Sequence, residues 1–283
     1  MRILLTGSKG QVGSALVPAL APLGEVNAFD RQALDLLDLQ SIKSTVARVK
    51  PDVIVNAAAY TAVDRAERKK DIAFEVNFHA VQELARQARS INALLVHFST
   101  DYVFDGEKPT PYVESDAPNP LGVYGRSKLE GERAIAASGC RHLIFRTSWV
   151  YAARGKNFLH AILAAAKEKP ELRVVDDQHG APTSSEVIAG AVAQVLANPR
   201  AAGNPGVYHL SAAGETTWHG FATELLRAKG LGTPVVAINS DEFPAAARRP
   251  KNSLLDNSKI RAAFGVAMPD WRQSLAAVLA AIH

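Results

Sequence analysis

At 283 residues, with 47% hydrophobic and 21% charged content, the chain can bury a sizeable core, as one large domain or two unequal ones. Its formal charge of +4 is small for that length and its Lys and Arg are scattered, so neither nucleic acid nor membrane is expected as a partner. No apolar run approaches the roughly 18 residues of a membrane span, the first strand already begins at Arg2, and the single Cys140 has no companion for a disulfide or a metal set; a cytoplasmic protein is expected.

Short apolar runs alternate with longer amphipathic ones. Strands are predicted at Arg2–Thr6, Glu25–Phe29, Asp52–Asn56, Leu94–Ser99 and His142–Arg146, with helices between them. Val53-Ile-Val-Asn56 is continuously apolar, as expected when helices cover both faces of a parallel sheet. Asp38 reads as the N-cap of a helix over Leu39–Val49. Pro18 falls inside the first helical stretch, where a lost donor and a crowded carbonyl predict a bend. The run Arg65, Arg68, Lys69 and Lys70 reads as a solvated helix start.

Beyond Ser148 the pattern loosens. A helix is expected near Asn157–Lys167, a strand at Leu172–Val175, a helix near Ser185–Leu196, a strand at Val207–Leu210, a helix at Thr217–Lys229 and a last helix after Pro269. The fold class is α/β: a doubly wound parallel-sheet Rossmann domain over residues 1–150, then a smaller C-terminal substrate-binding lobe over 151–283, interleaved with the last Rossmann elements.

The first strand runs into Gly7, Gly10 and Gly13, a strand–turn–helix that suits a dinucleotide. Gly7 permits the turn, Gly10 lets backbone N–H groups close on a pyrophosphate, and Gly13 lets the helix lie on the sheet; Gln11 and Val12 belong to the same cofactor-binding turn. Far downstream, Tyr124 and Lys128 stand at i and i+4, on one helical face. Hydride delivery to a carbonyl needs a positioned acid, and Tyr124 is the candidate, with the Lys128 ammonium expected to lower its pKa and to donate to the nicotinamide ribose. The plain alternative is a half-buried aromatic beside a surface lysine. Thr100 follows Ser99 at the end of the fourth predicted strand, where an open α/β sheet places its ligands. Asp30, ending the second strand, suits the adenosine ribose hydroxyls; Arg31 beside it could attract a 2′-phosphate, so NADPH and NADH both stay open.

Five blocks carry a family resemblance: Asn56-Ala-Ala-Ala-Tyr-Thr-Ala-Val-Asp64, Ser99-Thr-Asp-Tyr-Val-Phe-Asp-Gly106, Tyr124-Gly-Arg-Ser-Lys-Leu-Glu-Gly131, Arg146-Thr-Ser-Trp-Val-Tyr151 and Gly180-Ala-Pro-Thr183. In this order, and continuing through Ala245–Pro250, the chain resembles the extended short-chain dehydrogenase/reductases, and within them the dTDP-4-dehydrorhamnose reductases. That resemblance implies a Thr100–Tyr124–Lys128 catalytic trio, adenine contacts at Asp35 and Leu36, and a cofactor-facing segment at Ala59, Tyr60 and Thr61. It also implies a dTDP-sugar site at Thr100, Asp101 and Trp149, with Asn157, Arg248 and Arg249 as weaker candidates. For Trp149 the alternative is a core residue, and for each Arg a solvated surface residue. Some relatives dimerise around a cation held by glutamates; Ala15 stands at one of those positions and only Glu186 remains, so a monomer or homodimer without a bridging metal is expected, and the eight scattered His, without metal-site spacing, predict no catalytic metal. The implied activity is NAD(P)H-dependent reduction of dTDP-6-deoxy-L-lyxo-4-hexulose to dTDP-L-rhamnose for cell-surface polysaccharide. Its alternatives are a nucleotide-sugar epimerase or a non-catalytic regulatory subunit of S-adenosylmethionine synthesis, against which the intact Tyr124 and Lys128 argue.

Overall fold

The computed structural model describes residues 1–243 and 245–282, so Pro244 and His283 of the expected lobe lie outside the described residues. Five parallel strands come from the first half of the chain: β1 (Arg2–Thr6), β2 (Glu25–Phe29), β3 (Val53–Asn56), β4 (Leu94–Thr100) and β5 (Arg141–Thr147). A sixth, Gly206–His209, joins the edge beside β5. The order across the sheet is β2, β1, β3, β4, β5 and then Gly206–His209, so the winding reverses between β1 and β3 and opens a crevice at their C-terminal ends.

Alternation along each strand sends neighbouring side chains to opposite faces. Leu5, Val55 and Val96 meet Leu16 and Leu20 of the helix Gln11–Leu20 and Ile188 and Val192 of the helix Ser185–Ala197. Leu4, Ile54 and Leu95 meet Ile42 and Val46 of Leu39–Val49, Leu84 of Ala80–Ser90 and Ile135 of Val123–Ser138. Each such side chain contributes about 1.5–3 kcal/mol by leaving water. Asp38 caps Leu39–Val49 as expected, accepting from Gln40 N at 2.9 Å and Ser41 N at 3.1 Å.

A separate apolar cluster around Tyr151, Phe221 and Trp271 gathers the helices Phe158–Glu168, Trp218–Ala228 and Trp271–Ala280. Leu172–Val175 pairs in parallel with Val235–Ile238, a strand the periodicity does not signal. The helix Gln11–Leu20 continues through Pro18, which has no N–H to give the Ser14 carbonyl, and two residues later passes into a 3₁₀ turn at Ala21–Leu23.

Candidate active site

A cleft of about 680 Å³ lies over the ends of β1, β3, β4 and β5. The turn after β1 forms one wall. Gly7 adopts φ +69°, and a Cβ there would come within 2.8 Å of Ala58 N, while a Cβ on Gly13 would strike the Gly7 carbonyl; only glycines let this turn close between β3 and the helix. Gly10 caps that helix with no side-chain hydrogen bond, so its first-turn N–H groups remain free for an anion.

Thr100, Asp101, Tyr124 and Lys128 form the floor. The helix Val123–Ser138 reaches them because Gly125 lies against the Tyr102 carbonyl, where a Cβ would clash. A buried, bidentate pair between Arg146 on β5 and Glu132 on the helix, at 2.9 and 2.6 Å, fixes the helix to the sheet. Burial raises the Tyr124 phenol above the ordinary tyrosine range; a hydrogen bond with Thr100 opposes this and the Asp101 charge adds to it. The expected lowering by Lys128 is therefore corrected. The buried Lys128 ammonium is turned to the Phe98 carbonyl at 2.5 Å and to His97 Nε2 at 3.1 Å, and burial brings its own pKa down to about 8. Asp101, accepting from Thr100 Oγ1 at 2.9 Å, is pushed up to about 6 by burial. Tyr102 meets Tyr124 edge to face at 5.5 Å.

Toward the glycine turn, Gln11, Val12, Asp30, Arg31, Asp35, Leu36, Ala59, Tyr60 and Thr61 all line the cleft. Asp30 is not a bare ribose acceptor: Oδ1 takes Gln32 N and Ala33 N, each at 3.0 Å, and Oδ2 pairs with Lys9, which sequence reading passed over. Lys9 and these backbone bonds hold the carboxyl below the usual carboxylate range. Tyr60 is fastened through both its N–H and its carbonyl to Asn77, a buried residue of the π-helical turn Glu75–His79 that also donates to Ser127 Oγ at 3.0 Å. The π turn is the local price of aiming Asn77 inward.

On the far side Trp149 lines the cleft, half-buried, with φ +49°, a left-handed conformation unusual for a tryptophan. It stacks on Trp218, ring centroids 3.7 Å apart. Four expected residues lie outside the cleft lining. Asn157 caps the helix Phe158–Glu168, accepting from His160 N and donating to Ala152 O and Gln11 Oε1. Arg249 pairs with Asp64 at 2.8 Å and hydrogen-bonds Tyr102, and Arg248 is exposed. Gly13 sits behind the turn.

Polar atoms at the cleft floor are left over. Ser99 Oγ, Asp101 Oδ2 and Thr147 Oγ1 are buried and without a hydrogen-bond partner. Such orphans call for a ligand or water. Among the described residues, no group of three or more His, Cys, Asp and Glu is placed to hold a metal ion, and no helix is long and apolar enough to cross a membrane.

A glycine turn and a buried Tyr–Lys pair lining one crevice of a parallel sheet mark the short-chain dehydrogenase/reductase class of oxidoreductases. The chain belongs to the family described as the RmlD substrate binding domain, whose model matches residues 1–283. It is 47% identical to a dTDP-4-dehydrorhamnose reductase of Burkholderia thailandensis over 97% of both chains. Among solved structures, a dTDP-4-dehydrorhamnose reductase from Clostridium acetobutylicum superposes with a TM-score of 0.95 at 37% identity, covering 99% of each chain. The Bacillus anthracis dTDP-4-dehydrorhamnose reductase in complex with NADP gives 0.94 at 32% identity, again over 99% of each.

Proposed function

We propose that this protein reduces the 4-keto group of dTDP-6-deoxy-L-lyxo-4-hexulose with NADPH or NADH, giving dTDP-L-rhamnose for cell-surface polysaccharide. The observation that carries the reading is the meeting of Thr100, Tyr124 and Lys128 in the one cleft that the glycine turn also lines. The residues present fit the cofactor. An uncapped helix start faces the cleft for the diphosphate, and unpartnered polar atoms at its floor await a ligand's donors and acceptors.

When bound, the reduced nicotinamide supplies a hydride to C4 of the hexose. Tyr124, its phenol kept protonated by burial, holds the proton that the carbonyl oxygen takes as negative charge develops. Thr100 fixes the phenol, and Lys128 presents an N–H to the ribose hydroxyls. Trp149 offers its ring to the sugar nucleotide, and Asp101 an acceptor to the sugar hydroxyls. Gln11, held by Asn157, and Val12 open the diphosphate-binding helix. Residues 1–150 form the cofactor-binding unit, and the chain beyond 150 a substrate lobe interleaved with the last Rossmann elements, Ser185–Ala197 and Gly206–His209, a division that the separate cluster around Tyr151, Phe221 and Trp271 supports. The reaction belongs in the cytoplasm, and the protein acts as a monomer or homodimer without a metal bridge, Ala15 offering no ligand.

Incubation with the 4-keto sugar nucleotide and NADPH tests this: dTDP-L-rhamnose formed in step with oxidised cofactor supports it. Turnover without net oxidation would mean an epimerase, and no turnover despite cofactor binding a regulatory protein.

A further inference from the structure

A polar rung crosses the sheet beneath the cleft. Thr6, Asn56 and His97 are register partners on β1, β3 and β4, and their side chains point to the face covered by the helix Val123–Ser138. All are buried with Lys128: Thr6 and Asn56 are 1% exposed, His97 0% and Lys128 2%. The contacts are continuous. Thr6 Oγ1 lies 2.6 Å from Asn56 Oδ1, Asn56 Nδ2 lies 3.0 Å from His97 Nδ1, and His97 Nε2 lies 3.1 Å from Lys128 Nζ. At the cofactor end, Ala58 N donates to Thr6 Oγ1 at 3.3 Å.

Counting donors fixes the protonation pattern. Burial, and the adjacent Lys128, hold His97 well below the ordinary histidine range, so the ring is neutral, with one N–H and one bare nitrogen. An ammonium only donates, so Nε2 facing Lys128 must be the bare one and Nδ1 carries the proton. The Nδ1 proton needs an acceptor, so the Asn56 amide is turned end for end from the placement above, its oxygen toward His97 and its NH₂ toward Thr6, an exchange that leaves the outline of the side chain unchanged.

We propose that His97, held by Asn56 as the Nδ1–H tautomer, is the positioning residue of Lys128. Its Nε2 takes one ammonium proton and the Phe98 carbonyl takes a second, which leaves the third for the cleft that Lys128 lines. The opposite tautomer would set an N–H against the ammonium and turn Lys128 away from its place. The catalytic part of this proposal rests on the reductase reading above; the tautomer does not.

The test therefore begins without turnover. In ¹⁵N-labelled full-length protein without cofactor, long-range ¹H–¹⁵N NMR, assigned by the signals lost in His97→Gln, is expected to show a protonated Nδ1 and a bare Nε2. A proton on Nε2 overturns the proposal. Turnover gives the second readout. His97→Gln keeps an acceptor facing Lys128 and a donor facing Asn56, and its kcat is expected to stay near wild type. His97→Leu, apolar and suited to a buried strand, is expected to lose about tenfold to a hundredfold in kcat from a misplaced ammonium, while its thermal unfolding stays no worse than that of the Gln variant. A Leu variant as active as wild type, or a Gln variant no better than Leu, overturns the proposal. Wild-type protein inert toward the 4-keto sugar but with the expected tautomer would instead refute the reductase reading alone.

Discussion

Trp149 lies flat on Trp218, the ring planes 8° apart, and the doubled indole forms the cleft wall opposite the glycine turn. The contact joins the segment after β5 to a helix of the C-terminal half. Trp218 is itself anchored by Nε1 donating to Gln178 Oε1 at 3.2 Å and by Phe158 against its ring. Trp149→Ala is expected to raise KM for the sugar nucleotide by about tenfold to a hundredfold, or about 1.4–2.8 kcal/mol, through loss of an aromatic platform. Michaelis kinetics with thermal unfolding of the same variant check it: an unchanged KM with a large fall in Tm would make Trp149 a packing residue only.

Tyr124→Phe removes the hydroxyl proposed as proton donor and keeps the ring against Tyr102. Turnover is expected to fall by about a hundredfold or more while cofactor affinity stays nearly constant. Near-normal turnover would remove Tyr124 from the chemistry.

Lys128 sets the alkaline side of the pH profile. Its pKa is brought down to about 8, so the ammonium is present below that pH and is lost above it, while the Tyr124 phenol, raised by burial, stays protonated. Activity is expected to decline as pH rises through about 8. Stability moves the other way: between about 8 and the ordinary lysine value near 10.4 the unfolded chain binds the extra proton, so folding strengthens as pH rises across that window. Lys128→Met should abolish this rise. Thermal unfolding at pH 8 and pH 10 on both proteins decides it, and equal slopes would mean that Lys128 does not titrate there.

Cofactor choice turns on three side chains at the cleft mouth. Lys9 already neutralises Asp30, and Arg31 lies beside it, so a 2′-phosphate meets two cations and one satisfied carboxylate. Asp30→Ala is expected to shift kcat/KM toward NADPH, and Lys9→Ala and Arg31→Ala each toward NADH. A ratio unmoved in all three variants would place the adenosine elsewhere.

Much of this arrangement is legible in the chain because local physics dictates it. The strands Arg2–Thr6 and Glu25–Phe29 appear as read from their apolar runs, and Asp38 caps its helix as its position before Leu39 requires. The glycine turn and the i, i+4 Tyr124–Lys128 pair are short-range patterns, and so they point to one cleft before any tertiary contact is known. Lys9, Asn77 and Trp218 are different. Each acquires its place through a partner distant in sequence, Asp30, Tyr60 and Trp149 in turn, and nothing in its own neighbourhood announces that partner. His97 hides in an apolar strand run, where one polar residue reads as core. Lys128 shows the same limit in its electrostatics: spacing puts it on the face of Tyr124, but only the fold reveals that His97 and the Phe98 carbonyl claim its protons.

Transfer of label from the cofactor follows the proposed hydride step itself. With NADPH deuterated at the transferable position of the nicotinamide and the 4-keto sugar nucleotide as substrate, mass spectrometry and NMR of the product follow the hydride. The expected product is dTDP-L-rhamnose carrying one deuterium at C4 for each cofactor oxidised. Product without deuterium at C4, or sugar converted while the cofactor stays reduced, would contradict it.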